Sequence, residues 1–281
     1  MRREQPVVTR HASEGEALLQ RAMAALDRGD IATAAAEAQL AADLDPSSAR
    51  AWGILSLALH RGGALDQAIF AGRKATELDP RAASYHANLG VVLRAAHRLP
   101  EAEAAYRAAL AADPRFAPAH NNLANLARDR ARYDEAAACY RAALAIDPSY
   151  ADAWHGLGIV LQRQEKLADA AETLEKAVSL RPQRADAMSD LAAIYMGQQR
   201  FTEAAALLAK AIEADPNSAT AHGNLGALQL RHGHMVAAYR ETARAMALAP
   251  GEQRWVSNLG VIAKDLSRYV ESEALFRRAL A

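Results

Sequence analysis

The chain has 281 residues, and its 33 lysines and arginines are matched by 33 aspartates and glutamates, so the formal net charge is zero. That balance excludes the basic excess with which nucleic-acid binders neutralise phosphates, and no run approaches the ~18 apolar residues of a membrane-spanning helix. Apolar residues make up 51% but aromatics only 5%, which fits closely packed, alanine-rich helices better than a sheet.

From the N-terminus, residues 1–14 read as a flexible leader. Arg2 and Arg3 are followed only by Pro6-Val7-Val8, too short for the apolar core of a signal peptide. With Cys139 as the single cysteine, an intrachain disulfide is excluded and a cysteine metal site is not expected. The expected setting is the cytoplasm, and no metal or cofactor is expected.

Beyond the leader the chain repeats. Pro46, Pro80, Pro114, Pro148, Pro182, Pro216 and Pro250 follow one another every 34 residues, and five are preceded by aspartate. Proline has no N–H and disfavours helix in the residue before it, so each marks a boundary between helices. The resulting frame predicts an array over 15–281, with repeats starting at 15, 49, 83, 117, 151, 185, 219 and 253, the last incomplete. Slot 27 of the repeat is alanine in all eight, from Ala41 to Ala279; slot 20 is alanine in all but Ser272; slot 7 is leucine in all but Arg21. Slot 8 is always small, as at Ser56, Gly90, Ala124 and Gly260. Slots 4, 7, 8 and 11 form one stripe on a first helix, and slots 20, 24 and 27 another on a second. The small slots let the two axes approach, and one repeat cannot bury its stripe alone, so neighbours must stack.

Repeat 5 shows the pattern fully in Trp154, Leu157, Gly158, Ala170, Leu174, Ala177 and Pro182. At these residues the sequence resembles the tetratricopeptide repeat (TPR) family over 15–281. The resemblance implies an all-α fold of about eight helix-turn-helix repeats in a right-handed superhelical solenoid with a concave groove. It also implies a protein–protein interaction scaffold that takes an extended peptide or protein segment.

Repeat 1 is degenerate, with Leu18 for the aromatic and Arg21 for the leucine, as suits a polar cap. The chain stops at Ala281 without a polar capping helix, so the expectation is either that the natural protein continues or that this end self-associates.

No phosphate-binding glycine loop, His-Glu-x-x-His or Gly-x-Ser-x-Gly is found, so no catalytic constellation is expected. His86, His120 and His222 share slot 4 with Trp52 and Trp154 and read as packing substitutes for the aromatic. His232-x-His234 is a weak metal signal, and Cys139 reads as an ordinary helical residue.

The informative polar row is slot 6: Asn88, Asn122, Asn224 and Asn258, with Asp190 in repeat 6 and breaks at Ile54 and Gly156. A carboxamide offers donors and an acceptor, so it can match a peptide unit without reading side chains. Asn125, at slot 9, can join Asn122. The row resembles the asparagine ladder of the TPR half of protein O-linked N-acetylglucosamine transferases; the alternative is unselective helix-surface polarity, since Asn-Leu-Gly is common in such repeats generally. Slots 12 and 13 carry Arg94, Arg128, Arg163 and Arg231. These either face the groove and favour acidic ligands or form a solvated face.

Slot 5 holds no lysine, which argues against the carboxylate clamp of chaperone-binding members. Two further expectations remain: a bacterial source, from alanine and arginine usage, and a non-catalytic substrate-recruiting role in a larger glycosyltransferase-type enzyme. No nucleic-acid or membrane partner is expected.

Overall fold

The computed structural model describes residues 7–280, which form sixteen α-helices and no strand. Two compact units divide the chain, Met1–Pro148 and Ser149–Ala281. The first holds α1 (Val7–Asp27), α2 (Ile31–Leu44), α3 (Ala49–Arg61), α4 (Leu65–Leu78), α5 (Ala83–Ala95), α6 (Leu99–Ala112), α7 (Ala117–Asp129) and α8 (Tyr133–Ile146). The second holds α9 (Ala151–Arg163), α10 (Leu167–Leu180), α11 (Ala185–Gly197), α12 (Phe201–Ala214), α13 (Ala219–Arg231), α14 (Met235–Leu248), α15 (Gln253–Asp265) and α16 (Tyr269–Leu280). Each odd helix packs on the even helix after it, giving eight helix-turn-helix pairs; within each unit every even helix packs on the next odd one.

Helix α1 begins at Val7, ahead of the expected start at residue 15. The sequence explains why: between Pro6 and Gly15 there is no proline or glycine to stop a helix. Residues 1–6 of the expected leader lie outside the described residues.

The turn within each pair is a left-handed stop. Asp30 N–H donates to Ala25 O at 2.9 Å and Gly29 N–H to Leu26 O at 3.1 Å, which satisfies carbonyls that the ending helix cannot. Slot 15 carries the positive φ in every repeat: Gly29, Gly63 and Gly233 near +78°, but also His97, Ala131, Glu165, Gln199 and Ser267 between 56° and 62°. Five residues with a Cβ therefore accept a conformation that favours glycine. The hydrogen bonds of the turn and the packing of the two helices it joins hold them there.

Between pairs, the aspartate before proline makes the corner. Asp45 accepts from Ser47 N at 3.0 Å, Asp79 from Arg81 N at 3.2 Å, Asp113 from Arg115 N and Asp215 from Asn217 N at 2.9 Å. The carboxylate takes a backbone N–H two residues on, an Asx-turn contact that makes Asp-Pro a good helix-to-helix joint.

Slot 8 is small because the second helix crosses there. A Cβ on Gly90 would come within 2.5 Å of the Tyr106 ring, and one on Gly158 within 2.6 Å of Leu174. Where a hydroxyl replaces hydrogen or methyl at the crossing, it is satisfied: Ser56 Oγ donates to Ala68 O and Ser272 Oγ to Gly260 O, both at 2.8 Å. These are the same two slots with the roles exchanged. Arg21, the exception in the leucine slot, is exposed and pairs with Glu37 at 2.9 Å.

Ala143 is fully buried where α8 lies against α7. Ala143→Leu adds volume to a packed crossing, so it should destabilise by about 1–3 kcal/mol and lower the melting temperature clearly, as read by circular dichroism. An unchanged melt would place this alanine wrongly.

Candidate peptide-binding face

The polar row of slot 6 sits on the odd helices, which lie beside one another from α1 to α7 in the first unit and from α9 to α13 in the second. In the first unit, Asn88 on α5 is exposed and Asn122 on α7 is half-buried; neither carboxamide has a hydrogen bond among the described residues. In the second unit, Asn258 on α15 is likewise exposed and unbonded. Asn224 on α13 differs, because its Nδ2 donates to Ser189 O of α11 at 3.0 Å. Asp190, in the same slot of α11, accepts from His155 Nε2 of α9 at 2.7 Å. Two members of the row therefore tie one odd helix to the next, and three keep their polar atoms for something else.

Asn125 is also committed. Its Oδ1 accepts the Tyr140 hydroxyl at 2.6 Å. The ring of Tyr140 is fully buried, and burial pushes its phenol up to about 12. Tyr106, one repeat earlier, is equally buried and also raised to about 12, but its hydroxyl has no partner. Slot 24 is thus more than a bulky apolar position: in α6 and α8 it carries a phenol into the helix pair.

The basic residues divide in the same way. Arg94 Nη1 reaches Asp129 Oδ2 at 3.1 Å, and Arg128 pairs with the other oxygen of Asp129 at 3.2 Å. Arg231 lies over the Phe201 ring, 5.3 Å from its centroid. Arg163, at the end of α9, is exposed with no partner among the described residues. Arg61, in slot 13 of repeat 2, donates to Leu26 O at 3.1 Å and so caps the end of α1.

Slot 5 buries polar side chains in three successive repeats, at Asn121, His155 and Ser189. Asn121 is 5% exposed with a buried, unpartnered Oδ1, and His155 is 7% exposed, with Asp186 3.8 Å from its Nδ1. Burial raises the carboxyl of Asp186, but the hydrogen bond and charge of Arg184, with His155, outweigh it and hold the group low. Asparagine and histidine among leucine, alanine, serine and glycine at slot 5 were the visible signal for these buried polar residues.

Slot 4 has a direct explanation. Trp52 Nε1–H donates to Pro46 O at 3.0 Å, and His86 and His120 place Nε2 3.0 Å from the carbonyls of Pro80 and Pro114. His222 does the same to Pro216 O at 3.2 Å. A carbonyl can only accept, so these imidazoles carry a proton on Nε2. Histidine replaces tryptophan here because both put a ring N–H six residues back, on the proline corner.

Among the described residues no cluster of three or more metal-ligating side chains occurs, and no helix is long and apolar enough to cross a membrane. Cys139 is half-buried, and burial, with Glu135, pushes its thiol up, which disfavours the thiolate.

A family model described as tetratricopeptide repeat matches residues 19–83, 71–117 and 155–219, and a second model of the same description matches 195–262. A model described as TPR repeat matches 124–165. No curated protein matches the chain. Among solved structures, Pseudomonas aeruginosa PilF is 25% identical with a TM-score of 0.67, over 75% of this chain and 96% of that one. YrrB, described as a TPR protein with an unusual peptide-binding site, is 25% identical with a TM-score of 0.53, over 66% of this chain and 96% of its own. The Cut9–Hcn1 structure of the APC/C is similar in fold alone, at 16% identity and a TM-score of 0.72, over 94% of this chain and 52% of that one.

Proposed function

The chain belongs to the tetratricopeptide repeat family, and on that premise we propose that the face of its odd helices binds an extended segment of a partner protein. The observation that carries this reading is the pair of unbonded carboxamides, Asn88 and Asn122, one repeat apart on the adjacent helices α5 and α7. Each can donate to one peptide carbonyl and accept from one peptide N–H. An extended ligand presents such units regularly, so two carboxamides in step hold backbone while leaving side chains unread. Asn258 and Arg163 extend the same chemistry in the second unit, the arginine favouring an acidic residue of the ligand. The peptide-binding site described for YrrB supports the reading. The asparagine row also suits a substrate-recruiting portion of a larger glycosyltransferase-type enzyme; that second reading rests on the row alone.

The test is the triple replacement of Asn88, Asn122 and Asn258 by alanine. Asn224 is spared because its bond to the Ser189 carbonyl is part of the fold. Affinity capture with the chain identifies a partner, and a peptide spanning the captured segment is then titrated. We expect helicity and melting to be preserved and affinity to fall about tenfold or more, the scale of a few lost hydrogen bonds. Undiminished binding dismisses the row as the ligand face.

A further inference from the structure

A second surface, away from the asparagine row, has the features of a docking site. Between α2 and α4, with α3 as its floor, lies an open groove of about 450 Å³ walled by Trp52, Leu55, Leu59 and Phe70, with Gln39 and Asp66 at its polar edge. Phe70 stands edge-on to Trp52, ring centroids 5.9 Å apart and planes at 80°, and is 58% exposed. The fold does not require it: the same slot of the repeat holds Ala36, Ala104, Ala138, Ala206 and Ala274 elsewhere, and Glu172 and Arg240 in the rest. A large aromatic kept in water on one repeat, beside an indole already fixed by its bond to the Pro46 carbonyl, is a preformed apolar wall.

The charge around the groove indicates what would cover it. Asp66 has no ion pair or hydrogen bond among the described residues. Asp43 is held by Gln39 Nε2 at 2.8 Å and meets no cation there. The nearby cations on α4 are spent, Arg73 on Glu101 and Lys74 on Glu77, both at 2.9 Å. The groove is therefore apolar with an unneutralised acidic edge. We propose that it seats a short segment of a partner protein in which one leucine- or phenylalanine-sized side chain packs against Trp52 and Phe70 and an adjacent lysine or arginine pairs with Asp66. The volume is of the size that holds one or two large side chains, and a desolvated aromatic anchor flanked by a charge pair concentrates binding energy in few residues.

The experiment is selection of a phage-displayed random dodecapeptide library on the chain, with Phe70→Ala as the comparison target. Since five sister repeats carry alanine in that slot, Phe70→Ala should keep the wild-type circular dichroism spectrum and melt. Enriched peptides should share an aromatic residue or leucine beside lysine or arginine. They should bind Phe70→Ala at least ~10-fold more weakly, as expected for loss of a central anchor. Asp66→Asn should weaken them several-fold, and added salt should weaken the wild-type complex. They should bind the Asn88, Asn122 and Asn258 triple variant undiminished, which separates this site from the face proposed above. Failure to enrich any peptide that Phe70→Ala discriminates would overturn the proposal. So would enrichment of acidic peptides, or a Phe70-dependent dimer in sedimentation, which would make a second copy the occupant.

Discussion

Tyr106→Ala should destabilise the first unit by about 3–5 kcal/mol, the range for deleting a fully buried aromatic ring. The ring has no solvent exposure, lies over the Gly90 backbone, and packs with Leu93, Leu123 and Leu126. The helices around it cannot collapse into the space without breaking the 34-residue register, so the cavity should persist. Tyr106→Phe should behave in the opposite sense. Its hydroxyl is buried without a partner, so removing it relieves a desolvated polar group and should be neutral or stabilising. Tyr140→Phe is the control: that hydroxyl donates to Asn125 Oδ1, and losing the bond should cost about 1 kcal/mol. Urea unfolding of the three variants gives the comparison. A Tyr106→Phe loss as large as that of Tyr140→Phe would show that the Tyr106 hydroxyl is satisfied after all.

Glu103 should be the most sensitive charged residue in the chain. Its carboxylate, 11% exposed, receives Arg107 at 2.5 Å, Arg132 at 3.4 Å, and Arg130 in closest contact. Burial alone would raise its pKa, but the three guanidinium groups outweigh burial and hold it below its ordinary value of 4.5. Glu103→Gln keeps the shape and removes the charge, leaving three arginines facing one another. The expected loss is about 2 kcal/mol at neutral pH, in the range for hydrogen bonds to charged groups where the cations stay partly hydrated. The sign of the pH dependence follows from the depressed value. The contribution is complete above 4.5 and is lost as pH falls through the lower, folded-state pKa. The melting difference between wild type and Glu103→Gln should therefore be constant near neutrality and close progressively below pH 4.5. A difference that persists unchanged in acid would assign the effect to packing.

The polar face was less legible in the sequence than the helices were. Slot 6 was readable as a row of amides, but its members are not equivalent in space. Asn224 and Asp190 are spent on residues 35 positions away, as are Arg94 on Asp129 and Arg61 on the Leu26 carbonyl. Each of these bonds runs from one repeat to the next, one residue out of register with the period. Reading each slot by itself finds the amide or guanidinium but not the neighbour that takes it. The buried polar residues of slot 5 were missed for the same reason: His155 looks like a surface residue until Asp190 of α11 takes its ring nitrogen.

What the amino-acid sequence alone determined is local. Prolines at a fixed interval stop helices, aspartate before them makes the corner, and alanine or glycine at the crossings admits a second helix; from these the all-helical, paired architecture follows. Tertiary structure alone decided which polar groups remain free and which apolar ones remain wet. Five non-glycine residues are held left-handed at the intra-repeat turn, Asn88 is left open while Asn224 is bound, and Phe70 stays exposed where its sister slots hold alanine. The physical reason is that a helix's own hydrogen bonds and apolar stripe are set within a few residues along the chain. The partner of a side chain on its edge is set by the helix stacked beside it, a full repeat away.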